Sequence, residues 1–289
     1  MRRDEWSREQ LLVTFNLYCR VPFGKLHKSN PDIIALAQKI GRTPSAVAMK
    51  LVNFASFDPI HQARNAKGLA NASRADKAIW EEFQANPEEL AYESQQRYWQ
   101  VMDQGDFAGP DLSESEEVTL PSGPTETIRT VRTRLVQSFF RNAVLSSYNF
   151  TCAVCGIDLP ELLTASHIIP WKQDIARRAD PSNGLSLCSL HDRAFDRGFF
   201  TLDNSFSVLL SAKAKQPTES RLQKVALWEI EGQKITLPKR FLPDLIALSY
   251  HRERVFIHQG YQHENIHFKL DTRRCIANIR CIGEPCHCL

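Results

Sequence analysis

The stretch Cys152–Gly198 reads CAVCGIDLPELLTASHIIPWKQDIARRADPSNGLSLCSLHDRAFDRG, and its spacings decide how the rest of the chain is read. Cys152 and Cys155 make a C-x2-C clip, and Cys188 and His191 a C-x2-H clip, with 32 residues between Cys155 and Cys188. Two pairs of soft ligands are the donor set of a closed tetrahedral zinc site, which holds structure rather than doing chemistry. The alternative, unrelated buried thiols, has to explain two matching spacings at once. So short a unit has little apolar surface of its own, and bound metal contributes its folding energy. Between and beside the clips stand His167, Asn183 and Asp192, which a closed zinc site does not need. The chemistry is expected there.

Composition narrows the class. With 289 residues, 43% of them apolar, the chain is ordinary for a protein of one large or two modest domains. No apolar run approaches a membrane span, and MRRDEWSREQ is not followed by the apolar stretch of a secretory signal. A cytoplasmic setting is therefore expected, with the eight cysteines reduced rather than paired. The net charge of +3 hides a bias: seven acids and no Lys or Arg fall within residues 103–126. The remaining chain carries 36 basic against 26 acidic residues, an excess that favours a polyanion partner, with an ordinary solvated surface as the alternative.

The motif as a whole resembles the HNH (ββα-metal) endonuclease family, in its restriction-endonuclease-like branch. The residues carrying the resemblance are Cys152, Cys155, His167, Pro170, Asn183, Gly184, Cys188, His191, Asp192, Phe195, Asp196 and Gly198. It covers roughly residues 129–210, under a third of the chain. The resemblance implies a ββα nuclease fold in which His167 is the general base that takes a proton from the attacking water. A histidine with a pKa of about 6.5 suits that task. It implies that the Asn183 amide orients the loop and the histidine. It also implies that Asp192 binds a catalytic divalent ion; an oxygen ligand there suits Mg2+ or Mn2+. Asp196 lies four residues on, on the same helical face, as a further candidate ligand or an ordinary structural acid. Arg193 and Arg197 are candidate phosphate contacts. In one respect the chain departs from the wider family: Ser166 stands where many relatives have Asp or His as a second metal ligand.

Upstream, apolar spacing predicts helices over residues 9–17, 31–40 and 44–54, with Gly41 ending the second and Thr43–Pro44 opening the third. The last two resemble a helix-turn-helix, in which Arg42, Ser45, Lys50 and Asn53 would face DNA; a plain helical hairpin is the alternative. Residues 73–102 read as further helix, and residues 127–148, with Arg129, Arg132, Arg134 and Arg141, as one more. FFTLDNSFSVLLS after Gly198 reads as a hairpin, and a helix follows the Pro-rich entry near residue 237. The expected protein is α+β. A helical N-terminal domain (1–102) is followed by an acidic linker (103–126), a zinc-stapled nuclease domain (127–260) and a cysteine-containing tail (261–289). Zn2+ is its structural cofactor, Mg2+ or Mn2+ its catalytic one, DNA its partner, and a homodimer its candidate assembly. The resemblance implies hydrolysis of DNA phosphodiesters in restriction or antiphage defence. Two other readings stand beside it: a noncatalytic zinc-scaffold DNA-binding module, and a nuclease directed at modified DNA or RNA.

Overall fold

Helix α1 (Arg8–Arg20) starts at Ser7, whose hydroxyl accepts from the Gln10 amide while the Gln10 side chain reaches back to the Ser7 amide. This reciprocal cap satisfies donors that a helix start leaves unpaired. Residues Leu11–Cys19 of α1 are buried without interruption. A helix buried on all sides belongs in the centre of a bundle. Around it stand α2 (Pro31–Lys39), α3 (Pro44–Phe57), α4 (Pro59–Ala63), α5 (Arg74–Ala85) and α6 (Pro87–Met102). Asn30 and Thr43 cap α2 and α3, each with proline in the first turn, and Gly41 turns between them at φ 65°. The computed structural model describes residues 5–63, 72–102 and 124–257. The acidic stretch from 103 to 123 and the cysteine-containing tail lie outside them. Among the described residues, no helix is long and apolar enough to cross a membrane.

Two helices replace the single one expected over residues 73–102. Asn86 is held extended at φ −145°, ψ 78° ahead of Pro87, because proline excludes the helical conformation from the residue before it. The α2–α3 pair is a helical hairpin within the bundle, and its polar residues are occupied there. Lys50 pairs with the fully buried Asp76 at 2.7 Å, and the buried Asn53 amide donates to the same carboxylate at 2.8 Å. Arg42 donates to Gln10 Oε1 at 2.9 Å and lies over the Trp6 ring.

Helix α7 (Pro124–Ser147) belongs to two cores. Val136, Phe139 and Ala143 join the core of the N-terminal helices, where the Phe139 ring lies 6.4 Å from Phe15. Phe140, Val144 and Leu145 join a second core with the strands that follow. Strands β1 (Leu163–His167) and β2 (Gly184–Cys188) pair antiparallel, Leu163 opposite Cys188 and His167 opposite Gly184. Helix α8 (Ser189–Asp196) follows β2 directly and completes a ββα unit. A Cβ on Gly184 would lie 2.4 Å from Val144 Cγ2, so β2 rests on α7 at a distance only glycine permits. The expected hairpin is present as β3 (Phe200–Leu202) and β4 (Val208–Leu210), with Asp203 Oδ1 accepting from the Ser205 and Ser207 amides in its turn. Gly198, at φ 67°, precedes it where a Cβ would strike the Val255 carbonyl. Short helix α9 (Arg221–Ala226) and α10 (Leu245–Arg254) complete the described chain. Between them, the fully buried Arg240 donates to the Tyr18 carbonyl in the last turn of α1 and to Ser146 Oγ at 2.7 Å. A cation there satisfies carbonyls that a helix end leaves unpaired.

Candidate active site and metal centre

The two clips meet. After Cys152 the chain turns sharply, the Gly156 amide donating to the Cys152 carbonyl at 2.9 Å with Gly156 at φ 74°. Cys188 ends β2, and His191 lies in the first turn of α8. One ligand atom from each of Cys152, Cys155, Cys188 and His191 lies within 4.8 Å of the others. His191 Nδ1 is 3.1 Å from Cys188 Sγ, while its Nε2 is 2.9 Å from the Ala226 carbonyl. A carbonyl only accepts, so Nε2 keeps the proton and Nδ1 presents its lone pair to the sulfurs. A hydrogen bond from the Cys188 thiol pulls the Cys152 thiol well below its ordinary value, toward the thiolate that a metal requires. Three sulfurs and one imidazole fit a closed zinc centre.

His167 sits at the far end of the hairpin. Four residues separate its pairing level from that of Cys188, about 14 Å along a strand. The knuckle therefore holds the fold at a distance from this imidazole. The half-buried His167 ring stacks on Phe140, with centroids 3.7 Å apart and planes at 11°, and meets Trp171 edge-on at 5.5 Å. His167 Nε2 lies 3.0 Å from the Arg178 carbonyl, which fixes the neutral tautomer with the proton on Nε2. Nδ1 has no partner among the described residues and keeps its lone pair. Burial pushes the His167 pKa down to about 4; the Arg178 carbonyl opposes that shift and the Arg178 charge adds to it. At neutral pH the ring is an uncharged base.

Asn183, immediately before β2, is fully buried and closes the loop that follows His167. Its Oδ1 accepts from the Ile169 amide at 2.8 Å, and its Nδ2 donates to the Ile169 carbonyl at 3.1 Å and the Arg177 carbonyl at 3.3 Å. Asn183 thus fixes both polar groups of Ile169 and reaches His167 only through the backbone. On α8, Asp192 is half-buried, and Arg193, Asp196 and Arg197 are exposed. Asp192 and Asp196 lie one turn apart, and among the described residues no third His, Cys, Asp or Glu joins them in a metal-sized group. Carboxylate oxygens are the donor type that a hard divalent ion takes. The Ser166 hydroxyl is buried and has no hydrogen-bond partner among the described residues.

Comparison with known families agrees with this geometry: residues 152–203 match the HNH endonuclease model. This segment is similar to an HNH endonuclease domain. The match begins at the first zinc-clip cysteine and ends in the turn after β3. Comparison with curated proteins gives no match. Among solved structures, the modification dependent TagI restriction endonuclease is similar at 21% identity and a TM-score of 0.28, over 40% of this chain and 37% of that one. The shared part is thus well under half of that protein.

Three contacts of His167 leave no direct mark in the sequence: Phe140 on its face, Trp171 at its edge and the Arg178 carbonyl at Nε2. Phe140 reads only as one apolar residue of a helix. Trp171 directly follows the HIIP turn, and its closeness to His167 in sequence is the one available signal. A carbonyl contact leaves no trace in residue type.

Proposed function

We propose that the protein is a metal-dependent DNA endonuclease that acts in restriction or antiphage defence. The observation that carries this reading is the state of His167: a neutral imidazole with its proton fixed on Nε2 and Nδ1 left as the base. In the proposed reaction, water attacks phosphorus in line and gives its proton to His167 Nδ1. The P–O3′ bond breaks, and the leaving oxygen takes a proton from solvent, giving a 5′-phosphate and a 3′-hydroxyl. Asp192, with Asp196 one turn on, would hold Mg2+ or Mn2+, whose charge stabilises the phosphoryl and leaving oxygens. Cys152, Cys155, Cys188 and His191 would hold structural Zn2+. The exposed Arg193 and Arg197 would bind flanking phosphates. Arg42 and Lys50 contribute less to this reading, because both already serve contacts within the bundle. A homodimer would supply the second active site that cutting both strands requires.

The test is cleavage of supercoiled plasmid, unmodified and base-modified, and of RNA, by wild type and His167→Ala with Mg2+, Mn2+ or EDTA. Nicking that needs the ion and is lost in a folded, zinc-replete His167→Ala supports the nuclease reading. The choice of substrate then settles its specificity. The buried, unpartnered Ser166 favours a second reading, a noncatalytic DNA-binding scaffold. DNA binding without cleavage of any substrate would select it.

A further inference from the structure

The loop between β1 and β2 carries the carbonyl that holds His167, and a side chain of the same loop governs where that carbonyl lies. Arg178 Nε donates to the Trp171 carbonyl at 2.8 Å, and the Arg178 guanidinium lies over the Trp171 ring, 5.0 Å from its centroid. The strap closes residues 171–178 into a ring of chain. Both ends of the strap touch the histidine, Trp171 through its ring edge and Arg178 through its own carbonyl. The loop is also docked away from the strands. Ala179 is fully buried in the core of the N-terminal helices, and Trp171 packs against that core. The neighbouring Arg177 carbonyl is held by Asn183. The Arg177 side chain adds ion pairs to Asp174 at 3.8 Å and to Asp244 at 3.2 Å, and the Arg178 strap ties the two ends of residues 171–178 to each other.

We infer that Arg178 is a positioning residue for the nuclease reaction: by strapping itself to Trp171 it sets the carbonyl that keeps the proton of His167 on Nε2 and leaves Nδ1 as the base. The inference rests on the reading of His167 as the general base. A guanidinium is suited to the task because one planar group donates a hydrogen bond and stacks on an indole at once. A lysine ammonium keeps the charge and loses that geometry. The role is therefore separable from a phosphate contact, which a lysine would serve as well.

The experiment compares full-length wild type, Arg178→Lys, Arg178→Met and Trp171→Leu, each with zinc content and thermal melting measured. The first readout is the 15N spectrum of the histidine side chains, with His167 assigned by its loss in His167→Ala. In wild type the expected pattern is a protonated Nε2 and an unprotonated Nδ1; in all three strap variants a mixture of tautomers replaces it. The second readout is plasmid nicking, where Arg178→Lys and Arg178→Met are both expected to lower kcat at least tenfold with KM nearly unchanged. That loss lies within the range of a misplaced general base. A proton on Nδ1 in wild type overturns the inference without any variant. So does an Arg178→Lys enzyme with wild-type kcat beside an Arg178→Met enzyme impaired only in KM, the pattern of a phosphate contact. If His167→Ala nicks normally while the strap variants still scramble the tautomer, the general-base reading fails and the strap stands.

Discussion

The substitution Gly184→Ala tests how the ββα unit is seated on α7. Gly184 has φ −132° and ψ 147°, ordinary extended backbone. By backbone preference alone, alanine would stabilise this position by about 0.5–1 kcal/mol. Packing argues the other way. The new Cβ would fall 2.4 Å from Val144 Cγ2 and 2.9 Å from Phe140 Cζ, two side chains that are almost completely buried. Valine in a helix has essentially one rotamer, so it cannot turn aside. Overpacking of this kind costs about 1–3 kcal/mol, and at the upper end it outweighs the backbone gain by about 2 kcal/mol. In a unit of this size the melting temperature should fall by roughly 4–8 °C. Because Phe140 stacks on His167, nicking should fall further than the stability loss explains. Both effects should be partly relieved by adding Val144→Ala, so the double variant loses less than the two singles summed. Melting curves and plasmid nicking for the four proteins suffice. An alanine variant that melts within about 1 °C of wild type and nicks at the same rate would refute the seating described.

Three further outcomes follow from the same structure. Cys188→Ser, or a strong chelator, should remove about one zinc per chain and abolish the cooperative melting of the nuclease part, as read by metal analysis and calorimetry. Asn183→Asp should destabilise at least as much as Asn183→Ala, because it sets a charged oxygen against the Ile169 and Arg177 carbonyls where the amide now donates; denaturant titration decides the order. His251, 1% exposed, donates from Nε2 to the Phe195 carbonyl, and burial pushes its pKa down to about 4. On acidification the unfolded chain takes this proton first, near pH 6.5, and the folded one only near 4, so stability is present above that window and lost across it. The loss is up to about 3 kcal/mol, and His251→Gln should flatten that part of the stability–pH curve.

Much of this was legible in the chain. The zinc clips are read from spacing, because four ligands on two short turns leave a local pattern. The start of α3 is read from Thr43–Pro44, since capping is also local. The break at Pro87 is a local signal masked by the run of good helix formers around it. The occupation of Lys50 and Asn53 by Asp76 was not legible, because it depends on how α5 packs against α3. The same holds for Phe140 over His167, which lie 27 positions apart in the sequence. Residue type announced the histidine; only packing announced what holds it.

The dual allegiance of α7 limits how this protein can be taken apart. A fragment begun just before the helix would retain His167, the Cys3His cluster and strands β1 and β2, yet leave Val136, Phe139 and Ala143 facing water. It would also leave Arg240 with a buried charge and no α1 carbonyl to receive it. Grafting residues 124–257 onto another protein therefore calls for carrying α1 along, or for redesigning one whole side of α7. Exchange of the N-terminal helices by simple recombination within residues 103–123 would yield chimaeras that aggregate.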